Sequence, residues 1–428
     1  MAIQSLFDYL KESPSPYHAV AAAARRLEAA GFAPLAEHEA WNLEPGKGYY
    51  VTRNQSSLIA FRLPEGPLTG WRITAAHGDA PTFYVKNTSL GSDRQYERWE
   101  VEGYGGMNCA TWQDRPLGVA GRLVVRTAAG VESRLAASDR PVAVIPSLAI
   151  HMQRDVNKGH EYNIQRDMQP LGGLNGAAPD LFDALGQLEE GETLLGADLV
   201  VFPWQEPCLV GGGLFMAPRI DDQACAWATL EGLLTAEVHP FAGQVYCLFD
   251  NEEVGSGTRQ GALSSFLPDV LARAGQALGL SDEQRRRALT ASFALSADNG
   301  HAVHPNFPDK SDPENKVYPN SGVVIKFSAA QKYTSTGLTI GLFRALCDQA
   351  GVPTQLFANR ADEPGGSTLG HLLGQQVSIP MVDIGMAQLS MHSAVETAGA
   401  EDPQYMADAC RAFFNSRFAP TADGSWTL

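Results

Sequence analysis

Carboxylates and imidazoles placed where apolar runs stop are the residues here with the means to do chemistry. The segment QVYCLFDNEEVGSG, Gln244 to Gly257, sets the pattern. Its apolar run, Val245 to Phe249, stops at Asp250, Asn251, Glu252 and Glu253 and breaks at Gly255 and Gly257. A buried strand delivers acidic side chains to a sheet edge in this way. Neighbours diverge at a strand-to-loop turn, so one glutamate can bind a metal while the other faces a water activated there. Further residues of this kind sit at His77 and Asp79, Asp221, Asp298 and His392. Oxygen and imidazole donors without thiolate suit zinc, manganese or cobalt in an open catalytic site. A co-catalytic pair needs two ions about 3.5–4 Å apart, commonly with one carboxylate between them, and this inventory is large enough to supply it.

Each residue also has an ordinary explanation. His77 or His392 alone reads as a hydrogen-bonded structural histidine, Asp221 as a helix N-cap, Asp298 before Asn299-Gly300 as turn chemistry, and a Glu-Glu pair as solvated surface. Lys326 inside an apolar strand is harder to dismiss, because lysine is rarely buried without a partner. Tyr333 and His151 read as packing residues on their own. The glycine runs Gly211–Gly213 and Gly365-Gly366 lack phosphate-loop spacing and a following lysine, which argues against nucleotide binding.

The elements that position these residues alternate. Helical spacing runs from Ile3 to Glu12 and stops at Ser13-Pro14-Ser15-Pro16; a second helix is predicted from Tyr17 to Ala30, closed by Gly31. Gly48–Arg53 and Ser57–Arg62 read as a hairpin about Asn54-Gln55, and Trp71–Ala76 as a strand. From residue 86 to 207 the texture changes to short β-type runs with many Gly and Pro breaks, read as a β-rich insert. Helices are then predicted at 222–236, 264–278, 336–350, 366–373 and 403–414, and strands at 245–249, 292–296, 323–327, 354–358 and 379–384. The expected fold is α/β, a mixed but largely parallel sheet between helices, with the site at the strands' carboxyl ends and an inserted β-rich second domain.

A chain of 428 residues is long enough for two domains, and 44% hydrophobic with 19% charged residues is an ordinary globular composition. The net charge of −16 repels phosphate backbones and anionic lipid, so neither nucleic acid nor membrane is expected as a partner. The six cysteines are scattered, with no C-x-x-C pair, as expected of free thiols in a reducing compartment. The N-terminus has neither a basic leader nor an apolar core, and no run approaches about 20 apolar residues. A cytoplasmic protein is expected.

The segments AAHGDAPTF, APRIDDQ, DNEEVGS, SADNGHAVHPNF and MHSAVE occur in this order, and they resemble the signature segments of the aspartyl aminopeptidase family of dinuclear zinc aminopeptidases. RNQSSLIAF, YGG followed by WQDR, LAIHMQRDVN, GVVIKF and QKY extend the resemblance over nearly the whole chain. It implies a zinc-exopeptidase-like fold, with residues 1–85 and 208–428 forming a catalytic metallopeptidase domain and 86–207 an inserted dimerisation or lid domain. It implies two divalent ions, zinc foremost with manganese or cobalt as alternatives. His77 and Asp298 would hold one ion, Glu253 and His392 the other, and Asp221 would bridge them. Glu252 would be the general base, drawing a proton from the attacking water and passing it to the leaving amine. Asp79 would orient the His77 ring. His151, His301, Lys326 and Tyr333 would contact substrate, with Tyr333 facing the developing oxyanion and His151 reaching a neighbouring subunit's site.

The activity implied is removal of N-terminal residues from peptides with a free amine, with acidic first residues favoured by Lys326 and the histidines. Dimers assembled into a tetrahedral dodecamer are implied as well. Four positions depart from the family's pattern: Gly78 and Ala80 stand where hydroxyl residues are usual, Asp222 where Asn is usual, and Val395 where Arg is usual. The competing readings are a deacylase or carboxypeptidase on the same scaffold, or a non-catalytic assembly or cargo protein that keeps the fold. The retained Glu252 argues against the last.

Overall fold

A computed structural model describes residues 2–87, 95–176, 181, 185, 188–189, 191–363 and 365–428. Its centre is a nine-stranded sheet. In spatial order the strands are Ala33–Leu35, Gly48–Arg53, Ser57–Arg62, Ala242–Phe249, Gly70–His77, Phe293–Ala297, Met381–Gly385, Val323–Lys326 and Thr354–Phe357. The four from Ala242–Phe249 to Met381–Gly385 run parallel to one another. The sheet is therefore mixed but largely parallel, as expected. Phe249 lies level with His77, and Ser296 with Ala75, so three of these parallel strands end side by side at one edge.

Two helical layers cover the sheet, and side-chain alternation along each strand assigns residues to them. Tyr246 and Leu248 join a cluster with the helices Ala2–Glu12, Pro16–Ala29, Ile220–Thr235, Gly337–Ala350 and Asp402–Asn415. Val245, Cys247 and Phe249 face the opposite way, onto the helices Phe266–Ala277 and Leu369–Gln376. A central strand buried on both faces reads as one continuous apolar run for this reason. Where the helices Ile220–Thr235 and Asp402–Asn415 cross, the backbones approach closely. A Cβ on Gly232 would lie 2.4 Å from the Cβ of Cys410.

The run between the two halves of the central sheet builds a five-stranded antiparallel sheet, ordered Glu100–Tyr104, Thr82–Asn87, Thr193–Pro203, Leu117–Thr127 and Gly130–Ala137. It has its own apolar cluster around Phe83, Trp99, Trp112, Leu123 and Val201. All six cysteines are free.

Several elements differ from those predicted. The strands Cys208–Val210, Leu214–Ala217, Gly300–His301, Ala387–Leu389 and Glu396–Gly399 form a second five-stranded sheet that was not anticipated. They are too short to show a period of two. The helix Asp282–Thr290 is capped by a reciprocal Ser281–Gln284 box and buries only Ala288, so it lacks the apolar stripe that marks a helix in sequence. The predicted helix 366–373 begins later, at Leu369. A small hairpin, Ala419–Ala422 with Ser425–Thr427, ends the chain.

Candidate active site

The parallel strands bring the chemistry to one edge of the sheet. His77 is the last residue of its strand, Asp298 follows Ala297, and Glu252 and Glu253 follow Phe249 after a two-residue turn. That turn needs a left-handed residue, which Asn251 supplies at φ 61°. The Asn251 side-chain oxygen accepts from Thr258 at 2.8 Å and Gln260 at 2.9 Å, fixing the loop. Asp221 is no N-cap. It sits in a non-helical turn ahead of the regular part of its helix, after the left-handed Arg219. His392 occupies a turn at φ 63° between two strands of the second sheet.

These side chains meet in two overlapping groups. His77, Asp221 and Asp298 have one donor atom each within 4.8 Å of one another, and so do Asp221, Glu253 and His392. Asp221 belongs to both. Its Oδ1 lies 3.6 Å from His77 Nε2, and its Oδ2 lies 3.4 Å from His392 Nε2. Glu253 Oε2 is 3.4 Å from the same His392 nitrogen. Asp221 Oδ1 and Glu253 Oε1 are buried without a hydrogen-bond partner. An unpaired carboxylate oxygen in a protein interior is costly, and a divalent cation is what this oxygen and imidazole set fits.

The electrostatics agree with the geometry. Against the cost of burial, Asp221 and Glu253 push His392 up to about 10. Burial raises Asp298 to about 6 even with Lys326 beside it. Burial also raises Glu252 to about 8, with His77 opposing and Asp298, Asp79 and Asp221 adding to the shift. Asp79, Asp221, Glu252, Glu253 and Asp298 thus crowd one another, and positive charge between them would relieve the repulsion.

The backbones of these candidate ligands are fixed by residues around them. Asp79 Oδ1 accepts from the Glu252 N–H at 3.2 Å and lies 3.4 Å from His77 Nδ1, while its Oδ2 accepts from the Glu253 N–H at 3.1 Å. Glu396, which was not singled out in the sequence, accepts from the Asp221 N–H at 2.9 Å and from the His392 N–H at 2.7 Å. Its position four residues after His392 in MHSAVE was the only signal for it. Asp222 accepts from the His77 N–H at 3.3 Å. Burial and its neighbours Asp298 and Asp221 raise it well above the usual carboxylate range, against His77. Asp222 is fully buried beside the His77 backbone, so this departure puts a further carboxyl group next to the site. At Gly78 a Cβ would come 3.2 Å from Leu248 and 3.5 Å from Ala19, so the helix Pro16–Ala29 packs where a larger side chain would need room.

His301, Lys326 and Tyr333 line the same cleft of about 270 Å³ as the two ligand groups and Glu252. Lys326 is buried, donates to the Asn299 carbonyl at 3.1 Å, lies 3.6 Å from Asp298 Oδ1 and sits 5.3 Å from the centre of the Tyr333 ring. His151 is not among these residues. It lies on an exposed turn of the inserted sheet region, flanked by exposed Leu148, Ile150 and Met152.

A carboxylate shared between two imidazole- and acid-lined positions, beside a cleft at the carboxyl edge of an α/β sheet, defines a metal-dependent hydrolase. The profile of the Aminopeptidase I zinc metalloprotease (M18) family matches residues 9–414. A probable M18 family aminopeptidase 2 of Clostridium acetobutylicum is 40% identical over 428 residues, covering 96% of this chain and 98% of the relative. A protein of the same description from Pseudomonas aeruginosa is 40% identical over 432 residues, covering 97% and 99%. Among solved structures, the cryo-EM structure of the Ape4 and Nbr1 complex is similar with a TM-score of 0.92 at 33% identity, covering 96% of this chain and 85% of that one. The dodecamer of S. cerevisiae mApe1 is similar with a TM-score of 0.84 at 27% identity, covering 96% of each. The chain belongs to the M18 family of zinc aminopeptidases and is a metal-dependent aminopeptidase.

Proposed function

We propose that this aminopeptidase works with two divalent ions, zinc foremost. His77 and Asp298 hold one, Glu253 and His392 the other, and Asp221 is shared. The observation that carries this is Asp221, whose two oxygens face His77 and His392 separately. Bound there, the ions supply Lewis acidity and make water a competent nucleophile near neutral pH. Glu252 belongs to neither ligand group and lines the cleft. It takes the proton of the attacking water and returns it to the leaving amine. Asn359 donates to the Tyr333 hydroxyl oxygen at 3.1 Å, which leaves the Tyr333 proton to stabilise the developing oxyanion. Asp79 is a positioning residue that steadies His77 and the glutamate backbones.

Lys326 and His301 in the cleft favour Asp or Glu as the first residue of the peptide. Residues 1–85 and 208–428 are the catalytic part, and 86–207 form an insert for assembly. The exposed apolar residues beside His151 support a contact with a second copy, whose cleft His151 would enter. With a relative solved as a dodecamer, dimers closing into a tetrahedral dodecamer are the assembly we infer. No helix among the described residues is long and apolar enough to cross a membrane, and the six free thiols suit a cytoplasmic setting.

The test is hydrolysis of free and N-blocked dipeptides with acidic, basic and apolar first residues, before and after chelation and zinc add-back, for wild type and Glu252→Gln. Metal-dependent cleavage restricted to free amines, fastest for acidic residues, is expected. Glu252→Gln should keep its zinc and lose about 10²–10⁴-fold in kcat. Cleavage of blocked substrates, or an active Glu252→Gln, would overturn the reading.

A further inference from the structure

One stretch of the inserted region, Tyr104 to Thr111, touches the site at successive residues. The Tyr104 hydroxyl donates to Asp79 Oδ2 at 2.6 Å and accepts from the Asn251 amide at 3.0 Å. It therefore grips the carboxylate that receives the Glu252 and Glu253 N–H groups. Gly105 follows at φ +72°, and a Cβ there would lie 3.0 Å from Glu253 Cβ and 3.4 Å from Glu253 Oε2. The Gly106 carbonyl accepts from His392 Nδ1 at 2.6 Å, which turns Nε2 toward Asp221 and Glu253. The Asn108 N–H donates to the His392 carbonyl at 3.0 Å, and Thr111 Oγ1 accepts from the Ala394 N–H at 2.9 Å. His77 and Asp298, by contrast, end strands of the central sheet, and the stretch reaches His77 indirectly, through Asp79, whose Oδ1 lies 3.4 Å from His77 Nδ1. Asp298 has its charged neighbour in Lys326, outside the stretch.

We infer that Tyr104–Thr111 is a positioning strap for the half of the site formed by Glu253 and His392, so that the inserted region sets the affinity of one ion and the aim of Glu252. This rests on the two-ion reading above. The chemistry follows from the contacts. The strap fixes the tautomer and ring plane of one imidazole through a backbone carbonyl. It limits where Glu253 can go by contact with a residue that has no side chain. It also holds, through Asp79, the loop that carries both glutamates. None of these contacts is made within the catalytic sheet, so a shift of the inserted region would be felt first at Glu253 and His392.

Two variants of the full-length protein separate this role from general destabilisation. In Gly105→Ala the new methyl and the left-handed backbone displace Glu253 or the strap. Zinc binding, measured against a competing chelator, should show one of two equivalents weakened about tenfold or more and the other within about twofold. In Tyr104→Phe, which keeps the ring and removes one hydroxyl, kcat should fall about tenfold with KM within about twofold and both zinc equivalents retained. The thermal midpoint of each chelated variant reports whether the fold survives, and Tyr104→Phe decides the matter if Gly105→Ala does not fold. Wild type with two zinc equivalents, alongside a folded Gly105→Ala that weakens both equally or neither, or an unchanged kcat in Tyr104→Phe, would overturn the strap alone. Wild type that binds a single equivalent would overturn both the strap and the two-ion reading.

Discussion

His18 gives the protein a stability that depends on pH in a calculable way. It is the third residue of the helix Pro16–Ala29, next to the N-cap Ser15, whose hydroxyl lies 2.7 Å from its Nδ1. Burial, then Arg219 and Arg25, lowers its pKa from 6.5 to about 4, and the positive end of the helix acts in the same direction. The unfolded chain therefore takes up a proton near pH 6.5 that the folded chain refuses until about pH 4. A depressed histidine contributes stability that is fully present above its unfolded pKa and is lost as pH falls through that window. At about 1.4 kcal/mol per unit, the gap between 6.5 and about 4 corresponds to about 3 kcal/mol. His18→Asn keeps an acceptor beside Ser15 and removes the titration. Denaturant unfolding of wild type and His18→Asn, at half-unit steps from pH 8 to 4 and one zinc concentration, isolates the effect, because the carboxylates common to both cancel in the difference. The difference should be flat above about pH 7 and then move in favour of the variant by about 3 kcal/mol on the way to pH 4. Parallel curves across that range would show that His18 titrates normally in the folded protein, and the burial argument would fail.

Lys326→Met removes a buried ammonium that lies 3.6 Å from Asp298 Oδ1 and donates to the Asn299 carbonyl at 3.1 Å. Breaking a buried ion pair from one side costs about 3–5 kcal/mol, so a denaturant-measured loss below about 1 kcal/mol would show that the pair is effectively solvated. Gly232→Ala places a methyl 2.4 Å from Cys410 Cβ and forces two packed helices apart; the expected cost is about 1–3 kcal/mol, read as a lowered melting temperature, and an unchanged melt would mean the crossing is looser than described.

The central sheet was legible because its strands are buried on both faces. Val245–Phe249, Trp71–Ala76 and Ser292–Ser296 appear as apolar runs, and what terminates each run lies at the sheet edge. Chain order thus maps onto space for His77, Glu252, Glu253 and Asp298. The second five-stranded sheet was not legible, since its strands are two to four residues long and take their conformation from their neighbours rather than from their own pattern. The alternative reading of Asp221 as an N-cap fails for a related reason. Ala224 to Leu233 carries the helical signal, and nothing local shows that the turn before it is held open by Glu396, 175 positions away.

The distance in sequence between partners explains what the motifs left out. The proposed ligand residues announce themselves because donor type and strand end coincide within a few positions. The groups that aim them act across gaps of 25 residues for Tyr104 and Asp79, and 286 for Gly106 and His392, and one of those contacts uses only a backbone carbonyl. A carbonyl has no residue type to read, and a glycine that must lack a side chain beside Glu253 looks like any other loop glycine. The motif YGG is therefore informative only once the fold puts it against Asp79, Glu253 and His392. There its tyrosine supplies a hydroxyl, its first glycine a missing Cβ, and its second an acceptor, three separate requirements in consecutive residues. A substitution that met two of them and failed the third should leave the ligand set intact in sequence and impaired in zinc affinity or turnover, which is why Gly105→Ala and Tyr104→Phe are expected to fail in different assays.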